Sequence, residues 1–301
     1  MTVNKIGFLA TPFLDRALRH PRLAEMLGHL PAYSAASRVN VAANDALTDL
    51  AATVAEAEAA EQGRDLYESG EIPPGFFTGL ADKVRAAADA RATLEQCNLI
   101  VNDSAARMEY AAEHGADAML AELDSDLQAL MSEVRTIVGR LNGATTAMGA
   151  MDRGVATDWM ELRALRDRYT ELREAQASIW NSGRFDPSWF DARRSNGADA
   201  NETDSLLFIA NHLDLRVPDC DLDAFLVWAV SNKAHLWIPT RAQAATVKAA
   251  QSERAHLMGV VDSEMRGARD MDRVQALEDR AQAVMASAIA RVLGEDVTGD
   301  E

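Results

Sequence analysis

Glu253 and His256 stand three residues apart, the Glu-x-x-His spacing with which a helix presents a carboxylate and an imidazole to one metal ion. A dinuclear helical bundle needs two such pairs and two further inward glutamates, because two ions must be bridged and capped from four helices. Here the second pair is missing. His114 follows Ala111 at that offset, His212 and His235 have no glutamate there, and the acid nearest to His29 is Glu25, four residues away. Asp219, Asp221 and Asp223 alternate like the start of a calcium loop, but its sixth position is Ala224 instead of glycine and its twelfth is Val230 instead of glutamate. An acidic helix N-terminus after Pro218 accounts for these aspartates, through orphan amides and the helix dipole. The expectation is no metal, no cofactor and no assigned catalytic residue.

Other chemistry starts lower still. The chain has no GxxxxGK[ST], no GxGxxG after a strand, no HExxH and no GxSxG. Its formal net charge is −17, divided as −1 over 1–60, −8 over 61–150, −6 over 151–230 and −2 over 231–301. With no basic segment, neutralising the phosphates of a nucleic acid or an anionic lipid surface is disfavoured, so neither partner is expected. Basic proteins, or solubility through self-repulsion, suit this charge. Only Cys97 and Cys220 are present, which excludes a disulfide framework or a CxxC metal site. The run from Ile6 to Leu14 is too short to span a bilayer and leads into "DRALRHPR", so a cytoplasmic protein is expected.

The elements that would position any site read as helices. There are 56 alanines among 301 residues, and alanine favours helix while burying little area. Prolines at 12, 21, 31, 73, 74, 187, 218 and 239 leave 75–186 and 240–301 free for long helices. Leu120, Leu123, Leu127, Leu130, Val134, Ile137 and Leu141 recur at alternating steps of three and four, the spacing of a coiled-coil seam. That phase can run on through Ala144, Met148, Met151 and Val155, or Asn142-Gly143 can turn the chain. A second seam passes through Phe77, Leu80, Val84, Ala87, Arg91, Leu94, Asn98, Val101, Ala105, Met108 and Ala112. Asn98 is either a polar register device within it or lies at its edge, with Leu99 and Ile100 drawing the buried face sideways. "EHGAD" at 113–117 then closes the two seams into an antiparallel hairpin with a glycine cap.

The expected architecture is all-α and elongated: short helices over 1–33, long helices with a coiled-coil hairpin over 34–158, an aromatic-rich helical subdomain over 159–239, one or two helices over 240–293 with a phase slip near Met271, and an acidic tail over 294–301. The first long helix is expected from Ser34 to Glu68 with Leu47, Leu50 and Val54 inward, and another carries Leu162, Leu165, Tyr169, Leu172 and Ile179. All five tryptophans lie between Trp159 and Trp237. "WNSGRFDPSWF" ends the helix that carries Tyr169, with Ser182-Gly183 as its stop. The aromatics form either a local core or a patch for a partner, since large aromatics dominate both.

Three function classes follow. Sustained seams that are not satisfied within the chain must associate, so the leading expectation is a non-enzymatic structural or assembly protein, homo-oligomeric or bound to another protein. In composition alone such a chain compares with phage-type scaffolding proteins. Its interaction residues would be the seven seam residues from Leu120 to Leu141 together with Trp180, Trp189, Phe190, Trp228 and Trp237. The second class is a helical-bundle enzyme built on Glu253, His256 and further carboxylates. The third is a secreted effector or export substrate. Trp180 and Gly183 are one residue too far apart for the Trp-x-Gly turn of small secreted helical hairpins. "YESGE" at 67–71 fits the tyrosine-to-acid spacing of their export signal, but it does not fall in the expected order.

Overall fold

The computed structural model describes residues 12–61, 70–72, 74–180, 209–211, 215, 218, 220–267 and 271–294. Among these the chain is all-α, with ten helices and one isolated antiparallel bridge, Ile209 to Leu236. It divides into two compact units, Met1–Gly115 and Ala116–Glu301. The division falls inside the 34–158 stretch expected to hold one hairpin. No described helix is long and apolar enough to cross a membrane.

The first unit is built on two long helices, α3 (Pro31–Glu61) and α4 (Phe76–His114). Two short ones, α1 (Pro12–Arg19) and α2 (Pro21–His29), pack on each other, and α2 packs on α3. Leu14, Ala17, Leu23, Met26 and Leu27 are buried there, as expected for short helices that dock on their own chain. Proline opens α2 at its first position, where the missing N–H leaves no helical bond unmade.

Along α3 the inward residues are Tyr33, Ala36, Asn40, Ala43, Leu47, Leu50, Val54 and Ala57, an unbroken alternation of three and four steps. The pairing with α4 is antiparallel. Asn40 meets Val101 and Ser104 near one end, while Glu58 pairs with Arg91 at 2.9 Å and Glu56 with Lys83 at 2.9 Å towards the other. On α4 the stripe includes Ala87, Leu94, Val101, Ala105, Met108 and Ala112 of the sequence reading, with Leu80 and Val84 half-buried and Phe77 exposed, and it also takes in Ala90, Cys97, Ser104 and Ala111. Arg91 and Asn98 are exposed, and so are Leu99 and Ile100, so neither reading of Asn98 describes the fold. The buried polar device is instead Asn40, whose Nδ2 donates to the Val101 carbonyl at 3.1 Å and to Ser104 Oγ at 2.9 Å. Asn44 supports it, donating to the Asn40 carbonyl and Oδ1.

Gly115 ends α4 but is not a left-handed cap, its φ and ψ being −80° and −5°. Glycine suits the position because an added Cβ would lie 2.3 Å from Leu30 Cδ1.

The second unit begins with α5 (Ala116–Arg140), whose seam is buried as a whole: Leu120, Leu123, Leu127, Leu130, Val134, Ile137 and Leu141 are all at most 7% exposed. Its partner is α7 (Ala156–Trp180), running antiparallel through Arg140 with Asp158 and Glu161, and Glu133 with Arg168. Each seam has a partner helix in its own unit, α3 for α4 and α7 for α5. The α5 phase does not continue. Asn142 and Gly143 take φ of 49° and 74° and turn the chain into the short α6 (Ala147–Asp152), which leaves Met148 and Met151 exposed. Thr146 Oγ1 caps α6 by accepting from the Gly149 amide.

Helix α8 (Leu222–Ser231) packs on α5 and α7, and Asp221 caps it by accepting from the Ala224 amide at 2.8 Å. The last two helices, α9 (Arg241–Gly267) and α10 (Met271–Leu293), pair antiparallel, with Gln243 bonded to the Val292 carbonyl at one end and Glu264 paired with Arg273 at the other. The phase slip near Met271 is therefore a break between two helices.

Asn40 offers a direct test of the first unit. Asn40→Ala is expected to lower stability by about 1 kcal/mol. In a Ser104→Ala background the same change should cost less, because the pair shares one hydrogen bond, and chemical denaturation of the four proteins measures the difference.

Candidate functional site

The second unit's most unusual local chemistry lies where an extended segment crosses between helices. Among the described residues, 234–240 have no sheet neighbour beyond the single bridge, and several of their amides and carbonyls bond to side chains. Helix α5 supplies these from one face. Gln128 Nε2 donates to the Leu236 carbonyl at 2.9 Å, and Asp124 Oδ1 accepts from the Ile238 amide at 2.7 Å. Asp117 Oδ1 accepts from the Arg241 amide at 2.9 Å, where α9 begins. Positions 117, 124 and 128 lie seven and four apart, so they share a face. Pro239 needs no acceptor, having no N–H.

Helix α7 holds the same segment from its own side. Arg173 is fully buried and donates from Nη1 to the Trp237 carbonyl at 2.8 Å and to Gln176 Oε1 at 2.7 Å. Its Nε donates to the Tyr169 hydroxyl at 3.0 Å, with the guanidinium 5.0 Å from the Tyr169 ring centre. Gln176 and Tyr169 lie three and four residues from Arg173, so one helix face presents the whole group. The ring of Trp237 joins a cluster of Ala210, Val247, Ala250, Met285 and Ala288, at the end of the α9–α10 pair where α9 begins and α10 finishes.

A third contact holds α8. Asp223, 8% exposed, faces Arg166 at 3.4 Å and Arg163 at 3.5 Å, both distances long for hydrogen-bonded ion pairs. Burial pushes its carboxyl above the usual carboxylate range, outweighing the attraction of Arg166 and Arg163, and the charge of Asp221 adds to the rise. Phe225 stacks on Trp228 at 5.7 Å and lies 6.4 Å from Tyr169.

The residues singled out from sequence now have places. The seven seam residues sit in the second unit's own core, turned away from solvent. Trp180 and Trp237 are buried, and Trp228 is half-buried. The structure brings Trp237 onto Arg173, a residue not singled out from sequence. Trp189, Phe190 and most of "WNSGRFDPSWF" lie outside the described residues, as does Asp219. Glu253 and His256 are exposed, and Glu253 faces Arg280 at 3.9 Å. Among the described residues no group of three or more His, Cys, Asp or Glu is placed to hold a metal ion. Arg173 meets a phenol, an amide oxygen and a backbone carbonyl, an arrangement that fixes a segment in place.

No protein-family model matches the chain, and no curated protein and no solved structure is significantly similar to it.

Two outcomes test this construction. Arg173→Lys keeps the charge but not the planar fork, and it should cost about 2 kcal/mol; Arg173→Ala should cost roughly 3–5 kcal/mol, read from denaturant midpoints by tryptophan fluorescence. For Asp223, a carboxyl raised by folding binds its proton more tightly in the native state. The stability this contributes is present below the unfolded value and is lost as pH rises through the higher folded value. Asp223→Asn should therefore melt at or above the wild-type temperature at pH 7, by about 2 °C, with the advantage gone near pH ~3.

Proposed function

We propose that this protein is a non-enzymatic assembly protein that works in the cytoplasm through protein–protein association, with itself or with a basic partner. The observation that carries the reading is the apolar surface left on the α3–α4 pair. Val39 is 49% exposed and Ile100 46%. In an antiparallel pair the residue preceding a seam position points to the same side on both helices, so Val39 beside Asn40 and Ile100 beside Val101 line one flank. Val41, Leu99 and Tyr110 are exposed elsewhere on the same two helices. Two long helices with a narrow, alanine-rich seam can take a further helix along such a flank, as helix bundles do. Exposed apolar side chains gathered on one element mark interaction surfaces more often than isolated ones do.

The buried leucine seam is no longer part of this reading, because α5 and α7 fill it. Association therefore rests on surface residues of the first unit. The acidic charge suits a basic protein partner and disfavours nucleic acid.

Sedimentation velocity of the full chain over a concentration series tests the proposal. The expected result is a mass above that of the 32.7 kDa monomer that rises with concentration. Val39→Glu combined with Ile100→Glu should lower that mass at each concentration while the helical circular dichroism is unchanged. A wild-type monomer at every concentration would rule out self-association.

A further inference from the structure

Helices α9 and α10 leave a groove of about 630 Å³ along one side of their pair. Its floor is small and apolar, formed by Ala249, Ala250, Ala283, Val284 and Ala288, so the backbone of a third helix can approach closely. Its rim carries two arginines, Arg280 and Arg291, and one carboxylate, Glu253, a local excess of positive charge in a chain of net charge −17. Arg280 is 66% exposed at its side chain and only loosely engaged by Glu253 at 3.9 Å. Arg291 is exposed and makes no ion pair among the described residues. The two arginines stand eleven positions apart, three helical turns, which separates them by about 16 Å on one face.

An occupant that suits this groove is a helix with small residues for the floor and carboxylates about three turns apart for the rim. Helix α3 of this chain has that chemistry on a face outside its seam, where Glu56 also pairs with Lys83 of α4 at 2.9 Å. Asp45, Asp49, Ala52, Glu56 and Ala59 are all exposed and recur at steps of four, three, four and three. Asp45 and Glu56 are eleven positions apart, the spacing of Arg291 and Arg280. We propose that the α9–α10 groove docks α3 of a second copy of this chain, with Asp45 facing Arg291 and Glu56 facing Arg280. The proposal rests on the association reading and names the partner and the surfaces. The two surfaces differ, so the contact is heterologous, and repeated from copy to copy it builds rings or filaments unless two copies exchange it reciprocally.

The test is a charge-reversal pair in the full chain, read by sedimentation velocity at low and high salt. Arg280→Glu with Arg291→Glu makes the groove acidic, and Asp45→Lys with Glu56→Lys makes the helix basic. All four positions are exposed, and circular dichroism checks that each variant keeps its helix content. The wild type should associate at low salt and dissociate at high salt, as expected for an interface held by exposed charges. Each reversal variant alone should associate at least about tenfold more weakly, and an equimolar mixture of the two should recover the wild-type affinity, because every groove again meets an opposite charge. If either variant associates like the wild type, or the mixture fails to recover, the docking proposal is wrong while association by another surface stands. If the wild type is a monomer throughout, both docking and self-association fall.

Discussion

A helix whose apolar stripe is narrow and mostly alanine gains little from burying any one residue, so it must bury the stripe along its whole length. That constraint organises the α3–α4 pair, whereas the α5–α7 pair buries leucine, valine and isoleucine. The three antiparallel pairs, α3 with α4, α5 with α7 and α9 with α10, each join elements of at least 23 residues. Alanine permits close approach but does not distinguish one register from the next, since sliding by a heptad exchanges one small residue for another. Polar side chains select the register: Asn40 against Val101 and Ser104 in the first unit, and Arg140 against Asp158 and Glu161 in the second. The buried asparagine matters most of these, because a wrong register strands its amide away from water.

The second unit solves a different problem. Among the described residues an extended segment has only the bridge at Ile209 to take its backbone groups, and each unpaired one would carry a desolvation cost. Asp124 and Gln128 stand in for the missing strand, and Asp117 takes the first amide of α9. Arg173 completes the arrangement from α7, and because it donates to three neutral acceptors it holds their geometry as well as their hydrogen bonds. Trp237 then ties this polar clamp to the apolar end of the α9–α10 pair, so the start of α9 is fixed on one side by hydrogen bonds and on the other by packing.

What could be read from the chain alone follows the size of its side chains. The α5 seam is unambiguous in sequence because leucine, valine and isoleucine mark one face against alanine and charge. In α4 the alternate positions hold Ala90 beside Arg91 and Cys97 beside Asn98, and small residues leave the phase free to turn by one position. Pairing is less legible still. That α4 faces α3 and α5 faces α7 depends on packing between helices, which the seams themselves do not specify. Arg173 was hidden inside "RALRDRYTELRE", where a run of alternating charges reads as a solvated face. Its distinguishing neighbours, Tyr169 and Gln176, are local, but the acceptor that makes burial tolerable, the Trp237 carbonyl, is 64 residues away. The clustering of tryptophans was legible as composition, and the polar clamp on Trp237 was not.

The same economy of side chains bears on function. In the second unit the bulky residues of the seam, and the tryptophans 180 and 237, are buried in its own interior, so the association proposed above would draw on exposed side chains among the described residues, such as Val39, Ile100 and Tyr110, and on charge. Alanine surfaces bury too little area for tight binding through apolar contact alone, and exposed ion pairs add only modest energy each. An interface of this kind gains specificity from charge spacing along a helix and gains strength by repetition over long elements or over many copies. Helices of 31 and 39 residues supply the length. Weak, spaced and repeated contacts are what reversible assembly requires, because each can be broken and remade without unfolding the helices that carry it.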